Sequence, residues 1–284
     1  MKITDVKLTA FTRPAAGKPS DYAIKNTGDS LIDLLTKYVA IQIVTDEGVT
    51  GESFSLGGGV GMAHYLASTV KPFLIGKNPM HREAIWQGMW HFNRFWLTPV
   101  TTLGVVDVVS GYDQAQALHV GRALEELGFL WYEEPLREYD IHGYKMLADK
   151  LDIPIAGVEV NEGSIYTTPE YIVTRAVDIV RSCVGFKGGI GQVKKTAALA
   201  EAFGMKCEIH TNGNPVLDAA NLAVAASIKN TSFFEQLVPE PLFNFGVEEF
   251  IHIDAQGFAH LPKGPGLGMK IDWDFVKRYA VAEL

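Results

Sequence analysis

Gly104-Val-Val-Asp107-Val-Val109, Leu130-Trp-Tyr-Glu133-Glu134-Pro135 and Pro154-Ile-Ala-Gly-Val-Glu159-Val160 are three short apolar runs, each carrying an acid toward its end. Their spacing is regular: 133 − 107 = 26 and 159 − 133 = 26. Amphipathic helical patterns fill the intervals, from Tyr112 to Gly128 and from Tyr139 to Asp152. Strand, helix, strand at this period marks parallel βα units. Parallel strands share a direction, so acids at their C-terminal ends fall in one neighbourhood. Carboxylates crowded there repel unless protons or a cation intervene. A hard divalent cation such as Mg²⁺ takes oxygen ligands. The trio Asp107, Glu133 and Glu159 therefore reads as a metal site. The plainer alternative is three unrelated surface acids, which the strand-end placement and equal spacing disfavour.

Working outward, the same repeat continues toward the C-terminus. Ile179-Val-Arg-Ser-Cys183-Val184 is a strand, Gly191 to Phe203 a helix, Met205-Lys-Cys-Glu-Ile-His210 a strand, Val216 to Ile228 a helix, and Ser232-Phe-Phe-Glu235-Gln-Leu a further strand. That makes six strands from Gly104 onward. Ile251 to Ala259 reads as a small hairpin around Gln256-Gly257, and the tail from Pro265 through Trp273–Tyr279 packs back on the rest. The N-terminal part is different. Lys2 to Phe11 alternates as a strand, and Tyr38 to Ser55 as a hairpin turning at Asp46-Glu-Gly48. Ala63 to Ile75 and Met80 to Phe95 have helical periodicity, with Pro72 kinking or ending the first. Arg13 to Asp29 and Gly57-Gly-Gly59 are loops, either plain connections or a lid over a neighbouring site.

The 284 residues are 47% hydrophobic and 20% charged, ordinary for a globular chain with a sizeable core. The net charge is −8 and no basic cluster occurs, which argues against nucleic acid. Two cysteines, Cys183 and Cys207, make no disulfide framework and suit a reducing cytosol. The chain opens directly on a strand pattern without a signal peptide, and no apolar run reaches about 18 residues. The expectation is a soluble cytoplasmic protein without a membrane partner.

The order Asp107, Trp131-Tyr-Glu133-Glu-Pro135, Ala156-Gly-Val-Glu159, Phe186-Lys-Gly-Gly189 and His210 resembles the enolase superfamily, mandelate racemase subgroup, over nearly the whole chain. The resemblance implies an α/β fold: an enolase-like α+β capping domain, here 1–103, and a (β/α) TIM-type barrel, here 104–284, whose tail returns to the capping domain. It implies Mg²⁺ on Asp107, Glu133 and Glu159, removal of the proton α to a substrate carboxylate, and stabilisation of the enediolate by the ion. His210 stands where the family's catalytic histidine stands, and Glu235 where the eighth strand's acid stands. His210 ends a strand, where a barrel keeps its active site, and an imidazole titrating near 6.5 suits general-base work. The other histidines read as structural or solvated.

Three departures qualify the resemblance. A (β/α)₈ barrel takes about 250 residues, and 284 − 103 = 181 remain here. The barrel is thus incomplete, with about six strands; the first two strands, their helices and the end of the capping domain are missing. Thr101 to Asp107 resembles the passage from cap to barrel, and Asp107 to Tyr112 resembles the third strand, so the two readings overlap at Asp107. Second, no lysine of the kind the family's second strand supplies precedes Asp107; Lys37, Lys71 and Lys77 lie in capping patterns. Third, Cys183 stands where many members place the aspartate that orients the histidine, 210 − 183 = 27 residues before it. Cys183 reads as a small buried residue or, alternatively, a catalytic or redox-sensitive thiol. Lys187 is a candidate for the missing positive group. Arg13, Lys18, Tyr22 and Lys25 are candidates for gripping the substrate by position alone. The expected activity is a Mg²⁺-dependent dehydratase of a hydroxylated carboxylic acid such as a sugar acid. A racemase on the same scaffold and a degenerate metal-binding paralogue are the alternatives. The expected partner is a small carboxylate; the strand edges left open by the shortage are compatible with a homo-oligomer.

Overall fold

The structure is a computed structural model that describes residues 1–13, 37–55, 57–93, 112–161, 163–211, 213–237, 240 and 243–284. Its strands are β1 (Ile3–Thr12), β2 (Lys37–Thr45), β3 (Thr50–Phe54), β4 (Tyr132–Glu133), β5 (Ile155–Gly157), β6 (Ile179–Ser182), β7 (Lys206–Ile209) and β8 (Ala280–Glu283). The chain divides into two compact units. One comprises Met1–Val100, Gly213–Ala219 and Gln236–Leu284; the other comprises Thr101–Asn212 and Ala220–Glu235. The first is an α+β unit around an antiparallel sheet and the second a parallel βα unit, a capping domain and a partial barrel.

In the first unit the sheet order is β3-β2-β1-β8. The β2–β3 hairpin turns through Gly48, whose φ of 78° is left-handed and open to glycine at little cost. Both faces of β1 are covered. Leu8 and Ala10 pack with Val39, Ala63, Val70 and Leu74, while Phe11 packs with Tyr38, Phe54, Phe245 and Val276. The helix expected over Ala63–Ile75 begins earlier, at Gly59–Tyr65, and passes through a π-helical turn, Leu66–Val70, into Lys71–Leu74. Pro72 lacks an amide hydrogen, so the preceding turn widens rather than ending the helix. Trp273–Arg278, in the tail expected only to pack back, is helical and leads into β8, which pairs antiparallel with β1 (Ala10↔Ala282). Four residues of Ala-Val-Ala-Glu carry too short an alternation to be recognised beforehand.

In the second unit the order β4-β5-β6-β7 is sequential and parallel, the connectivity of a barrel segment. The helices between strands bury one face each. Gln114–Glu126 starts at Asp113, whose carboxylate accepts from the Gln116 amide in a capping box, and Ile141–Lys150 starts at Asp140, which accepts from the Gly143 amide. Ile155, Val180, Cys207 and Ile209 form the strand side of the core, fully or almost fully buried. Gly157 permits the close approach of the Tyr144 ring, which a Cβ there would meet at 3.1 Å. A short helix at Thr168–Thr174 went unread in the sequence; its Thr-Pro-Glu-Tyr-Ile-Val-Thr has no amphipathic repeat long enough to mark it.

Four of the six expected barrel strands are present among the described residues. The first, at 104–109, lies outside them, as do Lys18, Tyr22 and Lys25 and the lid reading of the loop beyond Arg13. The sixth, Ser232–Leu237, is not a laddered strand. It runs beside β7 with a backbone bond from Cys207 N to Asn230 O (2.8 Å), after which a side chain replaces the ladder. One carboxylate oxygen of buried Glu208 accepts from Thr231 Oγ1 (2.9 Å), Ser232 N (2.9 Å) and Phe233 N (3.3 Å). A carboxylate in place of a peptide carbonyl interrupts the ladder while still satisfying its donors. Glu208→Ala removes the acceptor and is expected to cost about 1–3 kcal/mol, read by urea unfolding; Glu208→Gln, which keeps one acceptor oxygen, should cost less.

Candidate active site

Glu133, Glu159, Arg181 and His210 lie toward the C-terminal ends of their parallel strands. Glu133 is the last residue of β4, and Glu159 follows β5 by two residues. Arg181 lies within β6, and His210 directly follows β7, its amide bonded to Ser182 O at 3.0 Å. Glu235 lies on the segment beyond Asn230. One ligand atom each from Glu133, Glu159 and His210 lie within 4.8 Å of one another. Asp107, the third expected metal ligand, lies outside the described residues.

The hydrogen bonds define what each group is free to do. Glu133 accepts from Trp131 Nε1 on Oε2 (2.9 Å) and from Arg181 Nε on Oε1 (2.8 Å). Glu235 accepts from Arg181 on Oε1 (2.7 Å) and from His210 Nδ1 on Oε2 (3.0 Å). His210 Nδ1 is thereby the protonated nitrogen, and Nε2, 3.9 Å from Glu159 Oε1, keeps the lone pair. The carboxylate that orients the imidazole is Glu235 on the last segment, not a residue at position 183. Burial lowers the pKa of His210, but the hydrogen bond to Glu235 and the charge of Glu159 outweigh it and hold the imidazole above its ordinary value. Burial raises Glu235, and its bonds to His210 and Arg181 reverse that and hold it low.

Glu159 is buried, and burial drives its pKa upward against the pull of His210 and Arg181. Its Oε1 makes no hydrogen bond among the described residues. A buried carboxylate oxygen without a donor is costly unless a cation or proton meets it. Two carboxylates with spare lone pairs and one orphaned buried oxygen fit a hard divalent ion; the bare Nε2 beside them makes the donor set one that an imidazole-accepting metal also suits.

The residues behind the acids were missed in the sequence or read differently. Glu134, next to Glu133, turns inward with φ 41°. Its Oε1 accepts from Glu159 N (2.8 Å) and Val160 N (3.4 Å), tying the end of β4 to the end of β5. Burial, and then the charge of Glu159, push its pKa up to about 7 despite those two amides. Val158 has φ 72°, a conformation that a β-branched side chain adopts only under constraint. The strain sits one residue before Glu159 and turns that carboxylate toward the others. Cys183 is buried and its thiol is hydrogen-bonded to Glu159. Lys187 is fully buried; its Nζ donates to Asn161 O at 3.2 Å, and burial pushes its pKa down to about 8. Arg13 lies over the Phe245 ring, 5.2 Å from its centroid. The signal that could have exposed Arg181 is a cation inside an apolar parallel strand, which has to meet acids where the strand is buried.

Comparison with known proteins places this geometry. The family described as enolase C-terminal domain-like matches residues 101–275. An arabinonate dehydratase of Saccharolobus solfataricus is 34% identical over 169 residues, which are 58% of this chain and 44% of that protein. A D-galactonate dehydratase family member of Streptomyces bingchenggensis is 30% identical over 168 residues, 58% of this chain and 40% of that protein. The match spans less than half the length of these curated relatives. The crystal structure of D-glucarate dehydratase from Agrobacterium tumefaciens complexed with magnesium superposes with a TM-score of 0.79 at 25% identity, covering 99% of this chain and 100% of that one. With sequential parallel strands, acids at their ends and a family match over more than half its length, the chain belongs to the enolase superfamily, in its mandelate racemase family.

Proposed function

We propose that the chain is a Mg²⁺-dependent dehydratase of a hydroxylated carboxylic acid, of the aldonic or aldaric type. The observation that carries this reading is the meeting of Glu133, Glu159 and His210 at one end of the parallel sheet. The names of the relatives, dehydratases of arabinonate, galactonate and glucarate, support the substrate class. Glu133 and Glu159 would hold the ion, with Asp107 as the third acid. A bound Mg²⁺ supplies Lewis-acid stabilisation of negative charge on the substrate carboxylate.

The proton work falls to His210. Its Nδ1 is committed to Glu235, so Nε2 takes the proton α to the substrate carboxylate. The electron pair of that C–H bond forms a carbon–carbon double bond and expels the hydroxyl from the neighbouring carbon. His210 returns the proton to the departing oxygen, which leaves as water, and the remaining enol becomes a 2-keto acid. One imidazole thus serves both steps, which answers the absence of a second-strand lysine. Cys183 and Lys187 stand behind the acids and act by holding them in place: the thiol on Glu159, the ammonium on the turn at Asn161.

Incubation with Mg²⁺ and a panel of aldonic and aldaric acids is expected to yield a 2-keto acid from at least one of them. Glu133→Gln should abolish both product and Mg²⁺ uptake. His210→Asn should lower turnover by about 10²–10⁴-fold while Mg²⁺ uptake persists; if uptake is lost as well, the imidazole is a ligand and not the base.

The His210–Glu235 pair also carries a pH signature. A raised imidazole contributes stability below its ordinary 6.5, lost as pH rises through the raised value. A lowered carboxyl contributes above its ordinary 4.5, lost as pH falls through the lowered value. The difference in unfolding free energy between the unaltered protein and His210→Asn, measured in chelator, should therefore peak between 4.5 and 6.5. A difference that does not vary with pH contradicts the pairing.

A further inference from the structure

Arg181 is 1% exposed, and its guanidinium spans the site from behind. Nε donates to Glu133 Oε1 at 2.8 Å and the NH2 nitrogen to Glu235 Oε1 at 2.7 Å; that same nitrogen lies 3.3 Å from His210 Nδ1. The other terminal nitrogen has no partner among the described residues. The Trp131 ring flanks the guanidinium, 5.7 Å from its carbon, and Trp131 also donates to the second oxygen of Glu133. The rigid fork of arginine fits two carboxylates at once, which an ammonium does not. A fixed positive charge in contact with a proposed metal ligand does two opposing things. It holds the acids together when no ion is bound, and it repels an ion that arrives.

We propose that Arg181 is the resident counter-cation of this site: a positioning residue that keeps Glu133 and Glu235 in register without a metal and thereby sets how weakly, and how reversibly, a divalent ion is taken. The inference rests on the metal reading given above. It makes the site's ion affinity a balance between one built-in charge and three carboxylates, Glu133, Glu159 and Glu235. Removing the cation should expose the full attraction of those acids to an ion while loosening the protein that lacks one.

The test is calorimetric titration of Mg²⁺ into the unaltered protein and into Arg181→Met and Arg181→Lys, with thermal melts of each in chelator and in Mg²⁺. Arg181→Met is expected to bind Mg²⁺ about tenfold more tightly, to melt lower in chelator, and to gain more from Mg²⁺ than the unaltered protein does. Arg181→Lys keeps the charge without the fork; its affinity should stay within about threefold of the unaltered protein. Should Arg181→Met not fold, the comparison is made in a background with one acid fewer: Arg181→Met with Glu235→Gln should bind more tightly than Glu235→Gln alone. Equal or weaker Mg²⁺ binding on loss of the arginine, with the melt lowered equally in chelator and Mg²⁺, overturns the inference and leaves Arg181 a structural ion pair. Failure of the unaltered protein to take up Mg²⁺ overturns the metal reading itself, a different outcome.

Discussion

Mutual repulsion among carboxylates is the constraint around which the second unit is arranged. Glu133, Glu134, Glu159 and Glu235 stand at one end of a four-stranded parallel sheet, and Glu134 and Glu159 are buried. The structure meets that repulsion in three ways. Arg181 spans Glu133 and Glu235, the His210 imidazole shares Glu235, and the two backbone amides beyond Val158 are given to Glu134. Glu159 Oε1 is left over, and it is the atom for which the described residues provide no donor. Buried negative charge in that position is tolerable with a proton or with a cation, which is why the same crowding that costs stability also marks a place for chemistry.

The scaffold holds this arrangement by giving up local backbone comfort. Glu134 and Val158 take positive φ at the ends of β4 and β5. A left-handed residue after a strand swings the next side chain away from the strand's own direction. At the end of β5 this turns the Glu159 carboxylate to the neighbourhood of Glu133 and His210. Glu208 plays a matching part on the far side: its carboxylate stands in for a strand ladder and steers the segment that delivers Glu235. The geometry of the site is in this way held at the cost of strain at single residues, while the cores of both units stay regular.

Much of this was readable in the amino-acid sequence, for physical reasons that also explain where reading stopped. Apolar runs separated by amphipathic helices report a parallel sheet because burial on both faces demands them, and so β4 through β7 and the helices between them, except the short Thr168–Thr174, were visible. Glu133, Glu159 and His210 were visible because polar residues ending such runs have to lie at one end of the sheet. Arg181 was not, since a charge inside an apolar run carries no label for the acids it will meet, and these come from strands 48 positions earlier and a segment further on. The role of Glu235 as the partner of His210 Nδ1 depends on a non-local contact and could not be read from the spacing that pointed to Cys183. At Ser232–Leu237 the carboxylate of Glu208, and not a strand ladder, takes the bonds from Ser232 N and Phe233 N, a non-local contact, and β8 depends on four residues finding the edge of β1.

The account stands on a divalent ion answering the crowded acids. Calorimetry of Mg²⁺ against the metal-free, unaltered protein measures that claim directly, without a substrate or an assay. The expected result is saturable uptake of about one ion per chain, as a site of this ligand chemistry requires. Heat no greater than that of dilution across the titration would contradict it and leave the acids held by Arg181 and protons alone.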